Sequence, residues 1–449
     1  MIIQRTLAAG LAALCLTAAV AQDRENPAAS EPFRVLRAEG EIRVDGELDE
    51  PDWKRALAFD LDFEVRPGEN IPPPVTTRCY VTYDDQAIYF AFLADDPEPG
   101  SIRARYSDRD DAWNDDWVGV VLDTFNDQRR AYEMFSSPLG VQIDAINDET
   151  GGNYDTSWNA IWDSVGKIDD AGFRVEMRIP FSQIRFQATG AEQVWGFDAI
   201  RSYPRNDRHH ITLFPRDRGA NSYLSQTVKL TGFEGVSPGN NLEITPTLTA
   251  TRTESREGGT TGDFITADSS EEVGATVRWG ITPNLTLNGT LNPDFSQVEA
   301  DAVQLDVNET FTLFCSETRP FFLEGADTFN TRLNLLNTRS IGAPDGALKL
   351  TGKQGRHTWG MLSARDASTS IILPGAEGSS GGGVGFENTS TIGRYRFDFG
   401  ESSTVGATVA DRRGAGYGNQ VLSVDSNWRP TESDLVYFIG ARSRTEYND

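Results

Sequence analysis

The chain of 449 residues contains nine tryptophans, and one of them differs from the others in its company. Trp53, Trp117, Trp158, Trp162 and Trp195 stand beside apolar strand residues and are read as packing. Trp113 is flanked by Asp110, Asp111, Asn114, Asp115 and Asp116, which would hold its ring at a polar rim. A flat apolar surface beside placed polar groups is how small-ligand sites are built. Asp108, Asp110 and Asp111 could instead gather calcium, which takes several hard oxygen ligands, although the spaced Asp-x-Asp-x-Asp-Gly loop that would specify such a site is missing. Asp45, Asp49 and Asp52 form a second acidic turn open to the same reading, and solvated surface accounts for both.

No residue pattern marks catalysis. A glycosidase needs two carboxylates at a set separation, one with a raised pKa, and nothing singles out a pair among the 67 acidic residues. His209, His210 and His357 are the only histidines, and neighbours on a strand point to opposite faces, so the adjacent pair cannot share a metal. His-Glu-x-x-His and phosphate-loop motifs are absent. A formal charge of −26 excludes the basic footprint of a nucleic-acid binder.

These residues need elements to position them, and the first segment is not one. Arg5, the apolar run Leu7 to Val20 and the small residues Ala19-Val20-Ala21 predict a secretory signal peptide over 1–21, cleaved before Gln22. Leu14 ahead of Cys15 does not fit a lipoprotein signal. Residues 22–32 are polar and read as a disordered leader. Cys79 and Cys315, the cysteines that remain, fall in different predicted domains and are read as buried small hydrophobes rather than a disulfide. No later run is long and apolar enough for a spanning helix, so membrane insertion would have to use strands.

From Phe33 to Gly232 short strands alternate with turns. Arg78–Tyr83, the turn Asp84-Asp85 and Ala87–Leu93 predict a hairpin, and Trp117–Leu122 and Phe173–Ile179 add strands. Their number and spacing predict an antiparallel β-sandwich. Residues 233–240, rich in Gly and Pro, are the predicted linker. Beyond them Val273, Ala275, Val277, Trp279 and Ile281 alternate with polar residues or glycine, as do Leu285, Leu287, Gly289 and Leu291, and Tyr395, Phe397 and Phe399 alternate with Arg394, Arg396 and Asp398. One face would meet lipid and the other a wet lumen. A soluble sandwich alternates likewise; polar loops predicted at 255–270 and 376–390, with no second apolar layer to pack on, favour the barrel. Charged residues crowd against Asn-Pro and Arg-Pro-Phe-Phe in Asn292–Asp301 and Arg319–Gly325. The strand predicted at 434–440 is followed by nine residues, so the barrel is expected to be incomplete.

Several ordered motifs carry a resemblance. Val44–Trp53 is similar to the opening Asp-Gly-x-Leu-Asp-Glu-x-x-Trp element of the family 9 carbohydrate-binding modules. Tyr83–Phe90, Trp113–Val118 and Gly172–Phe181 resemble its later elements in order. The resemblance implies a sugar stacked between two tryptophans, with Trp113, in Trp-x-x-Asp-x-Val, as one of them and Asp116 as its acidic partner. Gly119 stands where the motif carries a sugar-binding glutamate, and the arginine expected near Tyr132–Ser137 is missing. Tyr223 is the one aromatic between Asp217 and Lys229 able to supply the second face. Asn292–Gly325, with Arg339–Gly342 and Leu348–Lys353, resembles a Gram-negative outer-membrane barrel domain of unknown function.

Together these predict an all-β protein, an antiparallel β-sandwich over 33–232 followed by an incomplete antiparallel outer-membrane β-barrel over 241–449. The expected location is the outer membrane of a Gram-negative bacterium, with the sandwich periplasmic. The expected partners are membrane lipid and a carbohydrate or polyol, bound through Trp113, Asp116 and Tyr223 in carbohydrate catabolism. Calcium is the one candidate cofactor. The alternatives are a transport or envelope-assembly barrel whose sandwich is a plug or docking domain, and a glycoside hydrolase-associated protein.

Overall fold

The computed structural model describes residues 31–187, 192–237, 241–256, 263–293, 317, 319–342, 344–367, 369–374, 379–384 and 387–447. The signal peptide, most of the leader, Cys15, Cys315, Asp294, Glu299 and Asp301 lie outside them.

The N-terminal half is two facing sheets. Their strands in chain order are β1 (Phe33–Arg34), β2 (Leu57–Asp60), β3 (Phe63–Arg66), β4 (Thr77–Tyr83), β5 (Ala87–Asp95), β6 (Trp117–Asp123) and β7 (Arg130–Ser136). They continue with β8 (Gln142–Asp148), β9 (Asn153–Asp155), β10 (Asp163–Asp169), β11 (Gly172–Pro180), β12 (Gln193–Pro204), β13 (Arg208–Thr212) and β14 (Val228–Phe233). One sheet runs β1-β14-β12-β6-β7-β8-β9, with β13 on β12 and β3 on β13; the other runs β10-β11-β5-β4-β2. All pairings are antiparallel except the short β1–β14 pair, which is parallel.

Alternation supplies the core. Phe90 and Phe92 of β5, Val118 and Val120 of β6, Met177 of β11 and Trp195 and Phe197 of β12 meet between the sheets. Phe90 stacks on Phe197 at 5.9 Å. The intervening residues of β5, Ala87, Tyr89 and Ala91, are buried too, because Ile42 and Trp53 cover the outer face of that sheet. This explains the opening motif. The Trp53 indole donates to Glu176 Oε1 of β11 at 3.0 Å, and the N–H groups of Asp45 and Gly46 donate to Glu176 Oε2 at 2.9 and 2.7 Å. Gly46 has φ +81°, the left-handed region that favours glycine. Phe233, assigned to the linker from sequence, is buried and stacks on Trp195 at 4.4 Å. Cys79 is a buried free thiol.

The C-terminal half is a meander. Its strands are β15 (Leu242–Arg256), β16 (Phe264–Thr282), β17 (Leu285–Leu291), β18 (Pro344–Gln354), β19 (His357–Asp366), β20 (Thr369–Pro374) and β21 (Ser379–Val384). Then follow β22 (Asn388–Phe399), β23 (Ser403–Gly414), β24 (Tyr417–Trp428) and β25 (Val436–Tyr447). β20 and β21 pair with each other, and the other nine form one sheet, β15-β16-β17-β18-β19-β22-β23-β24-β25. β15 and β25 are its two edges, so among the described residues the sheet does not close into a barrel. The described residues of the polar segments at 255–270 and 376–390, expected as loops, are largely strand. Antiparallel pairing carries β15 and β16 out to Arg256 and Phe264, satisfying backbone groups that a loop would leave to water.

Burial along β18, β22 and β24 is largely inverted. Lys349 is 1% exposed while its neighbour Leu348 is 55% exposed. Along β22, Arg394, Arg396 and Asp398 are buried and Tyr395 is exposed. Asp425 is buried on β24 between outward Val424 and a half-buried Ser426. The inward charges are paired: Arg394 meets Asp425 through two bonds of 2.7 and 3.0 Å.

The segment from Glu317 to Gly342 fills part of this polar face. Arg319, fully buried, donates to Glu317 at 2.7 and 2.8 Å and to the carbonyls of Ile341 and Thr338. Pro320 opens a four-residue helix, α1 (Pro320–Leu323), which seats Phe321 and Phe322 against Ala347, Leu362 and Ile392. The Arg-Pro-Phe-Phe segment is therefore an internal clamp, with Glu317 serving Arg319.

Candidate functional site

Trp113 sits on a single 3-10 turn, Ala112–Asn114, that leads into β6. Its ring is half-buried against Trp117, Phe135 and Ile143 on the face of the sheet turned away from the sandwich core. The centroids of Trp117 and Phe135 lie 6.1 and 5.9 Å from it, both edge-on. The Trp113 carbonyl accepts from Arg208 at 2.7 Å, which ties the turn to β13.

The structure separates the predicted partners. Asp116 is fully buried, and its Oδ2 accepts from the Arg103 N–H and from Arg205, each at 2.9 Å. Burial pushes its pKa up, with Arg205 and Arg103 opposing. It holds the approach to β6 and does not reach the rim. Tyr223 packs against the same apolar patch as Trp113, but its ring is spent. Phe214 stacks on it at 6.3 Å, the Arg216 guanidinium lies 4.2 Å from its centroid, and its hydroxyl donates to the buried Asp198 at 2.7 Å.

The aromatic beside Trp113 is one that sequence reading missed. Tyr154 of β9 has its centroid 6.1 Å away, inclined at 61°, and is 45% exposed. Its hydroxyl donates to Glu133 Oε2 at 2.7 Å, and Asn147 donates to Glu133 Oε1 at 2.9 Å. Burial raises the Glu133 pKa and these two donors oppose it. The signal available in sequence was an aromatic in the turn-rich stretch Gly151-Gly152-Asn153-Tyr154-Asp155. Gly119 is explained as well: a Cβ there would lie 2.1 Å from the Met134 carbonyl and 2.5 Å from the Phe135 Cα. No glutamate fits at that position beneath Phe135.

The calcium reading does not gather its ligands. Asp108 and Asp111 are exposed, while Asp110 accepts the Asp144 N–H at 2.9 Å. Burial pushes the Asp110 pKa up to about 6. Asp144 is already held by a cation, Arg109, at 2.9 and 2.5 Å. Asp52 accepts the N–H groups of Glu39 and Gly40, and Asp45 caps Glu47. Among the described residues no three His, Cys, Asp or Glu side chains are placed to hold a metal. The histidine pair diverges as expected, His209 toward Glu64 at 2.9 Å and His210 edge-on to Trp117 at 5.8 Å.

A second concentration of polar groups lies where the sandwich meets the meander. Arg185 pairs with Glu324 at 2.8 Å, Arg130 with Asp327 at 2.5 Å and Arg429 with Glu149 at 3.1 Å. Lys353 bridges Asp127 of the sandwich and Asp398. Asn427 donates to the Thr150 carbonyl at 3.0 Å. Desolvation offsets much of the attraction in buried pairs of this kind, so they add little net stability.

Residues 44–211 match the family described as carbohydrate family 9 binding domain-like, and residues 240–362 match a domain of unknown function, DUF5916. The first match falls within the sandwich and the second begins just after it. A family 9 carbohydrate-binding module from Caldicellulosiruptor kristjanssonii in complex with cellotriose is 17% identical over 45% of this chain and 93% of its own, with a TM-score of 0.33. The same organism's module in complex with glucose gives 18% identity, 44% and 94% coverage and a TM-score of 0.31. No curated protein matches the chain.

Proposed function

We propose that this is an outer-membrane protein of a Gram-negative bacterium, in which a strand-built membrane domain carries a family 9-like module that binds a carbohydrate or related polyol. The membrane reading rests on the inverted burial of β18 and β22 to β24. A sheet that turns Leu348, Tyr395 and Val424 outward and buries Lys349, Arg394 and Asp425 suits hydrocarbon outside and a polar interior. The carbohydrate reading is supported by the family match and by Trp113 and Tyr154, two inclined rings at a rim beside Glu133 and Asn147. Rings offer apolar faces to sugar C–H groups while the polar groups bond hydroxyls.

Outer-membrane fractionation with heat-modifiable gel migration tests the first part, and recovery as a soluble periplasmic protein would sink it. A glycan array on the full chain tests the second. Trp113→Ala should weaken binding about tenfold or more, the loss of an aromatic hot spot, with little change in stability. The ion-paired joint and the filled position at Gly119 favour a second reading, a docking domain or plug without sugar binding. Wild-type protein that binds nothing on a broad array would favour it.

A further inference from the structure

The joint between the module and the meander forms a half-open cavity of about 350 Å³, within the ~300–1,000 Å³ range of small-molecule pockets. Its charges cancel. Arg130, Arg185 and Arg278 line it together with Glu243, Glu324 and Asp327. Arg130 is paired with Asp327, and Glu324 takes both Arg185 at 2.8 Å and Arg278 at 3.4 Å. Although burial opposes ionisation of Glu324, the neighbouring cations hold its pKa down at about 2, so this balance persists at physiological pH. An ion entering such a cavity would bring an unmatched charge into a partly desolvated space.

Two neutral groups on the cavity wall are unspent. Asn288 of β17 is 3% exposed, and its Nδ2 is a buried donor without a hydrogen-bond partner; Thr247 Oγ1 of β15 is buried and equally without one. Buried polar groups in native proteins are nearly always paired, and an exception calls for a partner such as water or a ligand. Trp158 of the module stands in the same lining; its ring packs on Tyr132 at 4.9 Å, inclined at 42°, and Arg130 lies over the Tyr132 ring. Gln183 adds an amide. The wall therefore offers the Trp158 indole and neutral hydrogen-bonding groups around a charge-balanced rim.

We infer that this inter-domain cavity is a second binding site, for an uncharged polyhydroxylated molecule the size of one or two sugar rings. It is separate from the Trp113 rim, since neither Trp113 nor Tyr154 lines it. Placed between the module and the polar face of the sheet, it would hold such a molecule between the two domains.

The test is calorimetric titration of the full chain, in a detergent without a sugar headgroup, with glucose and cellobiose as neutral probes and glucuronate and glucosamine as charged ones. Wild type should show two saturable sites and Trp113→Ala one. Adding Asn288→Leu to Trp113→Ala should weaken the remaining site tenfold or more, and the charged probes should bind it at least tenfold more weakly than glucose. Thr247→Val, close to isosteric, gives the same readout with a smaller loss should Asn288→Leu fail to fold. The inference is overturned if Trp113→Ala alone removes all binding, if the added substitutions change nothing, or if the charged probes bind as well as glucose. A single site in wild type that Trp113→Ala leaves intact but Asn288→Leu removes would uphold the cavity and sink the rim reading. No saturable binding at all would sink both.

Discussion

The two halves of this chain are built from the same element and turn it in opposite directions. In the sandwich, β5, β6 and β12 point Phe90, Val120 and Trp195 at one another. In the meander, β18, β22 and β24 point Lys349, Arg394 and Asp425 inward and Leu348, Tyr395 and Val424 outward. Period-two alternation is common to both. The difference teaches that alternation specifies two unlike faces without saying which is inside, and that the medium on each side decides. It also accounts for the joint, because a charged interior gave the module's Arg130, Arg185 and Asp127 partners that an apolar core would have denied them.

The largest effects should come from breaking each interior by its own rule. Trp195→Ala, in the sandwich core, should cost about 3–5 kcal/mol, read as a lowered denaturant midpoint. Arg394→Met, in the meander, should cost about 3–5 kcal/mol as well, because Asp425 is left buried and unpaired. A tolerated Arg394→Met would mean that this interior is wetter than its burial suggests.

Leu348→Arg sharpens the contrast on the outside. Facing lipid near the midplane it should cost about 2–4 kcal/mol, whereas a water-facing site would change stability by about 0.5 kcal/mol or less. Urea unfolding in liposomes distinguishes the two.

The effect at His210 is confined to a pH window. Its ordinary value of 6.5 is lowered to about 4, first by burial and then by Arg66, Arg216 and Arg208. A depressed histidine favours the folded state in its neutral form. Its contribution is complete above pH 6.5 and is lost as the pH falls toward 4, about 3 kcal/mol at most. His210→Gln should flatten the unfolding midpoint between pH 7 and pH 4.5 relative to wild type; an unchanged slope would remove His210 from the account.

Much of the architecture was legible in the residues because local rules dictate it. The β4–β5 hairpin follows from Asp84, whose Oδ1 accepts the N–H groups of Gln86 and Ala87. The alternation of Thr286, Asn288 and Thr290 against Leu285, Leu287 and Leu291 predicted their opposed faces, and all three polar residues are buried. The candidate site was less legible. Trp113 could be singled out by its flanking acids, but Tyr154, some forty residues on, becomes its neighbour through the pairing of β8 with β9.

Sequence by itself thus determined the β class and the alternating polarity along the strands, since these depend on residues adjacent in the chain. Tertiary structure alone decided that Asp116 and Tyr223 are spent on Arg205 and Asp198, that Glu317 serves Arg319, and that Glu324 meets Arg185 across the joint. Those outcomes depend on which distant strands come together, and pairing between distant segments is a property of the packed whole.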